Sequence, residues 1–445
     1  MAATTQTVIQ LLQLHYLPGI VRQFNAAFPL LRFIRQRSDT VDGQGEKAVI
    51  AIELGLNEGG GFHGESADVP ESGYPRIRRV EVTLKQLTFR ARLTYKLMRK
   101  ARTNAYAFAR AAQLQMTGTR EAFILTANTY LWGDGSGVIC RVKDASDLAS
   151  DRILILDRAY GLPDGGAPAA IIRPGQVLHI LDTKGYTPGV TTDRGTCIVE
   201  AVDDDTGTEG EIAVRVEPGH TLNGVTADDY VYLQNTIEGW FDPGETEDNR
   251  PAMGMLGFYD DSLRDTLQGL SPTQSVGGQQ PEPQWKPRKV PVTQATLIPR
   301  MRRAKNLLSK KSERGRIGFV ISSYETHERY AAQLDQKVEF RNVRSLDALW
   351  DVAEFDGRPW FMDHTAPDGR MFFVPVGTGG GFISRFAVDD FINFVDEGGG
   401  AMQRVPNKTV FDTLLTAVYE YGIRRRNVLV SATGLTWEPG VGPGE

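Results

Sequence analysis

Residues 99–137, RKARTNAYAFARAAQLQMTGTREAFILTANTYLWGDGSG, carry the strongest periodic signal in the chain and most restrict what it can fold into. Apolar or small side chains recur at Ala105, Phe108, Ala109, Ala112 and Met116, and again at Phe123, Ile124, Ala127, Tyr130 and Leu131. This is the i, i+3, i+4, i+7 spacing of a helix with one buried stripe. At about 1.5 Å per residue, a helix from near Asn104 to Leu131 spans roughly 40 Å, the width of a small domain. Gly133, Asp134, Gly135, Ser136 and Gly137 then stop it, because glycine tolerates the left-handed backbone that closes helices. A rod of this length is a spine for other elements rather than a pocket wall.

The remaining composition sets bounds on what can be built around such a spine. A chain of 445 residues predicts about three domains, and 41% hydrophobic residues with a mean hydropathy of -0.29 describe a globular chain with ample core material. No stretch is a candidate membrane span, and MAATTQTVIQ lacks the basic start and apolar run of a secretory signal, so no export by that route is expected. Cys140 and Cys197 are too few and too far apart for a disulfide framework or a thiol metal site, which fits a reducing cytoplasmic origin.

Net charge is only -5, yet it is segregated. Between residues 76 and 102, Arg76, Arg78, Arg79, Lys85, Arg90, Arg92, Lys96, Arg99, Lys100 and Arg102 face a single acid, Glu81. From 138 to 250 acids outnumber bases more than two to one, and a second basic run occupies 300–316. Segregation of this kind suits contact between copies of the chain or contact with nucleic acid, and solvated faces are the plain alternative.

In chain order, Val8, Leu11, Leu12 and Tyr16 predict a short amphipathic helix, and FPLLRFIRQ is an apolar segment with no place in a domain of its own. Together they describe an arm that docks elsewhere. A strand over 47–54, the loop NEGGGFHGESADVPESGYP and a long strand over 78–96 predict an extended hairpin. In the long strand Val80, Val82 and Leu84 alternate in one phase and Leu87, Phe89, Ala91, Leu93 and Tyr95 in the other, so a β-bulge is expected at Gln86. A two-stranded hairpin is marginal alone in water and must lie on something. After the spine, strands over 152–156, 176–182, 197–202, 211–216 and 229–234, separated by RPGQ, TKGYTPG and DDDTGTEG, predict a small antiparallel barrel or sandwich. A helix carrying Leu297, Ile298, Met301, Leu307 and Leu308, the buried strand IGFVIS and a helix over 324–334 form a mixed α/β unit. FINFVDE, TVFDTLLTAVYEYGI and NVLVS return to strands before a proline- and glycine-rich tail from Glu438.

This element order, with LWGDGSG closing the spine, LQGLSP in the middle region and RRRNVLVSATG near the end, resembles the tailed-bacteriophage major capsid proteins of the Hong Kong 97-like fold family. The fold class so implied is α+β, with a long spine helix, an extended β-hairpin loop and an inserted small β-barrel. The resemblance divides the chain into an N-terminal arm (1–45), an extended loop (46–98), the spine of a peripheral domain (99–137), the inserted barrel (138–237), an axial-type α/β domain (238–383), late strands (384–434) and a tail (435–445). The barrel departs from the minimal family pattern. The family implies hexamers and pentamers of the chain itself, packaged DNA held by weak non-specific contact, and scaffold, portal and decoration proteins as further partners, with no membrane. It places the protein in the virion head, assembled in the cytoplasm of the host bacterium.

No catalytic chemistry competes with this. The six histidines include no pair at the spacing that sets two ligands on one metal, so no metal and no cofactor are expected. GDGSG superficially matches a hydrolase serine turn, but a nucleophile elbow needs a strand before the serine, and here a helix precedes Ser136. Gly377–Gly381 lack the lysine of a phosphate loop. Ser323 and His327 sit one turn apart, as is ordinary on a surface helix, and Trp132, Trp240, Trp285 and Trp360 are expected as core or interface anchors. The expected function is that of a structural, non-enzymatic shell protein enclosing phage double-stranded DNA. An encapsulin-like compartment shell is the nearest alternative, and a hydrolase with a β-rich accessory domain the more distant one. The candidate contact residues between subunits are the acidic tip, Glu58, Glu65, Asp68 and Glu71, and the basic strand, Arg76, Arg78, Arg79, Arg90 and Arg92. In some members of the resembled family a loop lysine forms an isopeptide bond to a neighbour; residues 57–75 contain no lysine, so a non-covalent shell is expected.

Overall fold

A computed structural model describes residues 30, 34–37, 47–55, 59–60, 62–63, 71, 73–74, 76–94, 105–204, 211–219, 222–234, 236–241, 249–273, 285–311, 316–335, 354–376, 383–387, 393–394, 403–404 and 410–435. The expected helix at Val8–Tyr16, the run Gly377–Gly381 and the tail from Glu438 lie outside them.

The first elements are β1 (Arg35–Arg37), β2 (Lys47–Gly55), β3 (Arg76–Thr83), β4 (Lys85–Thr94) and the 28-residue helix α1 (Ala105–Trp132). Strands β5 (Val138–Asp144), β6 (Ile153–Asp157), β7 (Val177–Leu181), β8 (Asp193–Asp203), β9 (Glu211–Val216) and β10 (Tyr230–Leu233) follow. Next come α2 (Met255–Tyr259), β11 (Arg288–Pro291), α3 (Leu297–Lys311), β12 (Arg316–Ser322), α4 (Tyr324–Asp335), β13 (Glu354–Phe355), β14 (Arg358–Met362) and β15 (Met371–Val376). The chain closes with β16 (Ser384–Ala387), β17 (Asn393–Phe394), β18 (Gln403–Arg404), β19 (Val410–Gly422) and β20 (Val430–Thr433). The architecture is mixed α and β.

The helix runs where the periodicity puts it, and Phe123, Ile124, Ala127, Tyr130 and Leu131 are buried as expected. Its last two turns exceed a single stripe, since Thr126, Asn128, Thr129 and Trp132 are buried too. Three bodies meet there. Phe123 stacks edge-on against Phe89 of β4 at 5.6 Å, and Trp132 against Phe372 of β15 at 5.3 Å. Asn128 donates to Asp363 at 3.2 Å, and Thr365, two residues on, accepts through its carbonyl from Tyr160 at 2.6 Å. Gly135 and Gly137, with φ of +81° and +91°, close the end. A Cβ on Gly137 would come within 2.0 Å of the Thr236 carbonyl oxygen, so this turn needs glycine for space as well as for conformation.

Strands β10-β5-β6-β9-β8-β7 close a barrel, and β5 joins it directly after the helix stop. The interior is filled by Cys140, Val142, Leu154, Leu156, Leu178, Ile180, Cys197, Ile212, Val214 and Val231, each 0% exposed. It is a packed plug rather than a ligand cup. Both cysteines are free and belong to this core, where burial pushes the Cys197 thiol up to about 12 and that of Cys140 well above its ordinary range.

A second sheet runs β11-β20-β15-β12-β14-β13. Its two faces enter different cores. Phe319, Ile321, Phe372 and Val374 join α1 and the barrel interior, whereas Ile317, Val320, Met371 and Phe373 meet Leu297, Met301, Ala304 and Leu308 of α3 and Tyr330 of α4. α3 and the barrel core therefore occupy opposite sides of this sheet. Arg426, 0% exposed, fastens the turn after α2 by donating to the carbonyls of Gly257, Phe258, Asp260, Arg264 and Asp265 at 2.6–3.4 Å.

The third sheet is organised on β19, a 13-residue strand with β4 along one edge and β16, β17 and β18 in succession along the other, while β1 adds in parallel to β16. Leu30 and Ile34, from the apolar segment expected to dock elsewhere, are buried in this chain's own core. The expected single strand over 78–96 is corrected to two. It breaks at Leu84, not at Gln86, and the phase slip is a change of partner rather than a bulge: β3 pairs with β2, and β4 pairs with β19 from Lys85↔Tyr419 to Thr94↔Val410. Leu84 and Lys85 are consecutive and both buried, as they must be where a strand turns its inner face from one sheet to the next.

Candidate assembly interface

The hairpin β2–β3 is a sheet of its own, paired from Lys47↔Thr83 to Gly55↔Arg76. Alternation divides it into two unlike faces. One carries Ala48, Ile50, Ile52 and Leu54 with Val80 and Val82, each at most 7% exposed and continuous with the main core. The other carries Lys47, Arg79 and Glu81, with Lys47 at 3.7 Å and Arg79 at 3.5 Å from Glu81. The stem thus leans on its own subunit, which satisfies the need for a support.

Beyond the stem the support ends. Phe62 (111% exposed) and Tyr74 (87%) there, with Ile77 (59%) on the open face of β3 near the end of the stem, project into solvent and make up half of the six large hydrophobic side chains that are exposed among the described residues. None was among the candidates drawn from charge. The signal was present as two aromatics, Phe62 within and Tyr74 at the end of the glycine-rich loop, but a sequence does not say which aromatics a core will absorb.

Of the charge-based candidates, Glu58, Glu65 and Asp68 lie outside the described residues, and Glu71 is exposed. Arg76, Arg78 and Arg79 are on β3, with Arg79 exposed and Arg78 half-buried. Arg90 and Arg92 are exposed on β4 and engaged within the chain. Asp412 of β19 accepts from Arg92 through both oxygens at 2.9 and 3.2 Å and lies 3.5 Å from Arg90. The guanidinium of Arg92 is held further in its charged form by this partner. Thr88 and Thr416 share a hydroxyl hydrogen bond at 3.2 Å across the same strand pair. These contacts make β4 a fixed mount, and the hairpin extends from it through Leu84.

Behind the mount, Glu420 of β19 is buried and accepts from the backbone N–H groups of Met253 at 2.6 Å and Tyr421 at 2.8 Å. Burial pushes its carboxyl up to about 7, against which Arg250 and Lys85 act. Asp368, in the turn that meets the barrel loop, is likewise pushed up to about 7 by burial and by the facing Glu325.

Ser136 is buried, and its hydroxyl and N–H both donate to Asp134, at 2.5 and 2.9 Å, as a helix-closing turn requires. Ser323 was expected on a surface helix and is instead buried, its hydroxyl 2.9 Å from that of Thr326, because it begins α4 against the sheet. Trp132, Trp285 and Trp360 are at most 1% exposed, and Trp240 stacks edge-on between His179 at 5.0 Å and Tyr186 at 4.6 Å. All four are structural anchors. Among the described residues no three metal-ligating side chains cluster, and no helix is long and apolar enough to cross a membrane.

No family model matches the chain, and no curated protein matches it in sequence. Its structure, however, resembles those of tailed-phage capsid proteins over nine-tenths of its length. The chain in the cyanophage A-1(L) capsid asymmetric unit matches at 11% identity and a TM-score of 0.46, over 92% of this chain and 93% of that one. A chain from Mycobacterium phage Ogopogo matches at 9% identity and 0.40, over 91% of each. The holo-SrpI encapsulin complex from Synechococcus elongatus PCC 7942 matches at 9% and 0.38, over 92% and 90%. Identities near a tenth with TM-scores below 0.5 leave the function of this chain to its own residues.

Proposed function

We propose that the protein is the building block of a closed shell, self-assembling into the icosahedral capsid that encloses double-stranded phage DNA. The observation that carries this reading is the hairpin: one face of its stem is buried against its own subunit, while Phe62 and Tyr74 beyond the stem and Ile77 on its open face stand in water. Exposed aromatics on a rigidly mounted projection fit a site on another molecule. A contact between a hairpin and a different patch of the next copy is heterologous, and such contacts close into rings when the rotation allows. The acidic tip and the basic strand provide complementary charge for the same contact, while Arg90 and Arg92 serve Asp412 and Arg79 serves Glu81 within the subunit. The acidic barrel belongs on the outer surface, where like charge is solvated instead of facing packaged phosphates.

Electron microscopy of the chain expressed alone tests this. Closed particles of uniform size support the reading, and a monodisperse monomer at high concentration refutes it. Nuclease-protected duplex DNA in particles from infected cells supports a genome shell, and protected cargo protein without DNA identifies a compartment shell instead.

A further inference from the structure

α3 carries Arg300, Arg302, Arg303, Lys305, Lys310 and Lys311 in fifteen residues and no acid, within a chain of net charge -5. Its inner face is complete: Leu297, Met301, Ala304 and Leu308 are each 0% exposed, at the i, i+4, i+7, i+11 spacing, against the sheet. The exposed positions of the helix include Pro299, Arg302, Arg303 and Asn306, with no large apolar side chain among them. Lys305 pairs with Asp356, but among the described residues no carboxylate lies within ion-pair distance of Arg300, Arg302 or Arg303. Like charges crowded on one helix repel, so folding by itself gives no reason for this surface.

We propose that the outward face of α3 binds the phosphate backbone of double-stranded nucleic acid, independently of sequence. Protein interfaces have an apolar centre from which charge is depleted, and this face has the reverse character. Guanidinium forks match phosphate oxygens in pairs, and exposed arginines without an acid partner release counterions on meeting a duplex. The position of the helix agrees. It lies on the sheet face opposite the one whose core is continuous with that of the acidic barrel. The proposal deepens the shell reading by naming the face that turns toward the genome, and rests on that reading only for this orientation.

The test uses the full-length chain, a fluorescein-labelled 30-base-pair duplex and anisotropy titrations from 50 to 200 mM salt. Arg302→Gln with Arg303→Gln removes two cations from exposed positions. Lys143→Gln with Arg215→Gln removes two from the exposed surface of the barrel as a control. At about 0.9 per phosphate, the slope of log K against log salt is expected to fall by about two in the α3 variant and to stay unchanged in the control, for duplexes of any sequence. Equal slopes in wild type and the α3 variant overturn the proposal, as does an equal fall in the control. Preference for a polyglutamate chain over the duplex also overturns it, in favour of an acidic protein segment. Particle formation, scored by microscopy on the same samples, reports on the shell reading separately.

Discussion

Replacing Phe62 and Tyr74 together with serine separates folding from assembly. Both side chains are exposed, so the subunit loses no core and its thermal midpoint should move by no more than about 0.5 kcal/mol of stability allows. Assembly stands differently. Full burial of an aromatic side chain in a neighbour is worth about 1.5–3 kcal/mol, so the pair contributes about 4 kcal/mol to each hairpin contact. With about 1.4 kcal/mol per tenfold, the association constant of that contact falls by about three orders of magnitude. Light scattering against subunit concentration, with circular dichroism on the same stock, measures both effects. The double variant should stay unassembled at concentrations where wild type closes, and Phe62→Leu with Tyr74→Phe should restore closure by restoring apolar area. Particles from the serine variant at the wild-type threshold would refute the view that the tip is buried by a neighbour.

Arg426→Met keeps the side-chain volume but strips the donors from five backbone carbonyls, and at about 1–3 kcal/mol per buried unsatisfied group it should cost at least about 3 kcal/mol in urea unfolding; a loss under about 1 kcal/mol would show that water takes over the site. Glu420 has a carboxyl raised from 4.5 to about 7, so the native state holds its proton where the unfolded chain has lost it, and stability falls as pH rises from 4.5 through 7. Glu420→Gln keeps an acceptor for Met253 and Tyr421 and should be less destabilised than wild type between pH 5 and pH 8; the part of the slope due to Asp368 remains, and an undiminished pH dependence would contradict the assignment. Mature heads boiled in detergent should run as one band of about the chain mass of 49.1 kDa, because Lys47 faces Glu81 and Lys85 is buried on the mount, while the tip sequence has no lysine; a reductant-resistant ladder would show a covalent cross-link.

What was legible in the residues is whatever a local period or a local turn decides. The spine helix follows from its 3.6-residue pattern and its glycine stop, five barrel strands from alternation between Pro, Gly and Asp turns, and α3 from its single apolar stripe. The charge segregation was legible too, because it is a property of order along the chain. Partner choice was not. The slip of phase near Gln86 was visible, but only the assembled sheets show that β3 belongs to β2 and β4 to β19, a pairing across more than 300 residues that no local signal encodes. The same holds for the candidate interface. Arg90, Arg92, Phe62 and Tyr74 are alike in sequence as side chains open to contact, and it is the tertiary structure that gives the arginines to Asp412 and leaves the aromatics in water, because burial depends on which surfaces the long-range pairings bring together.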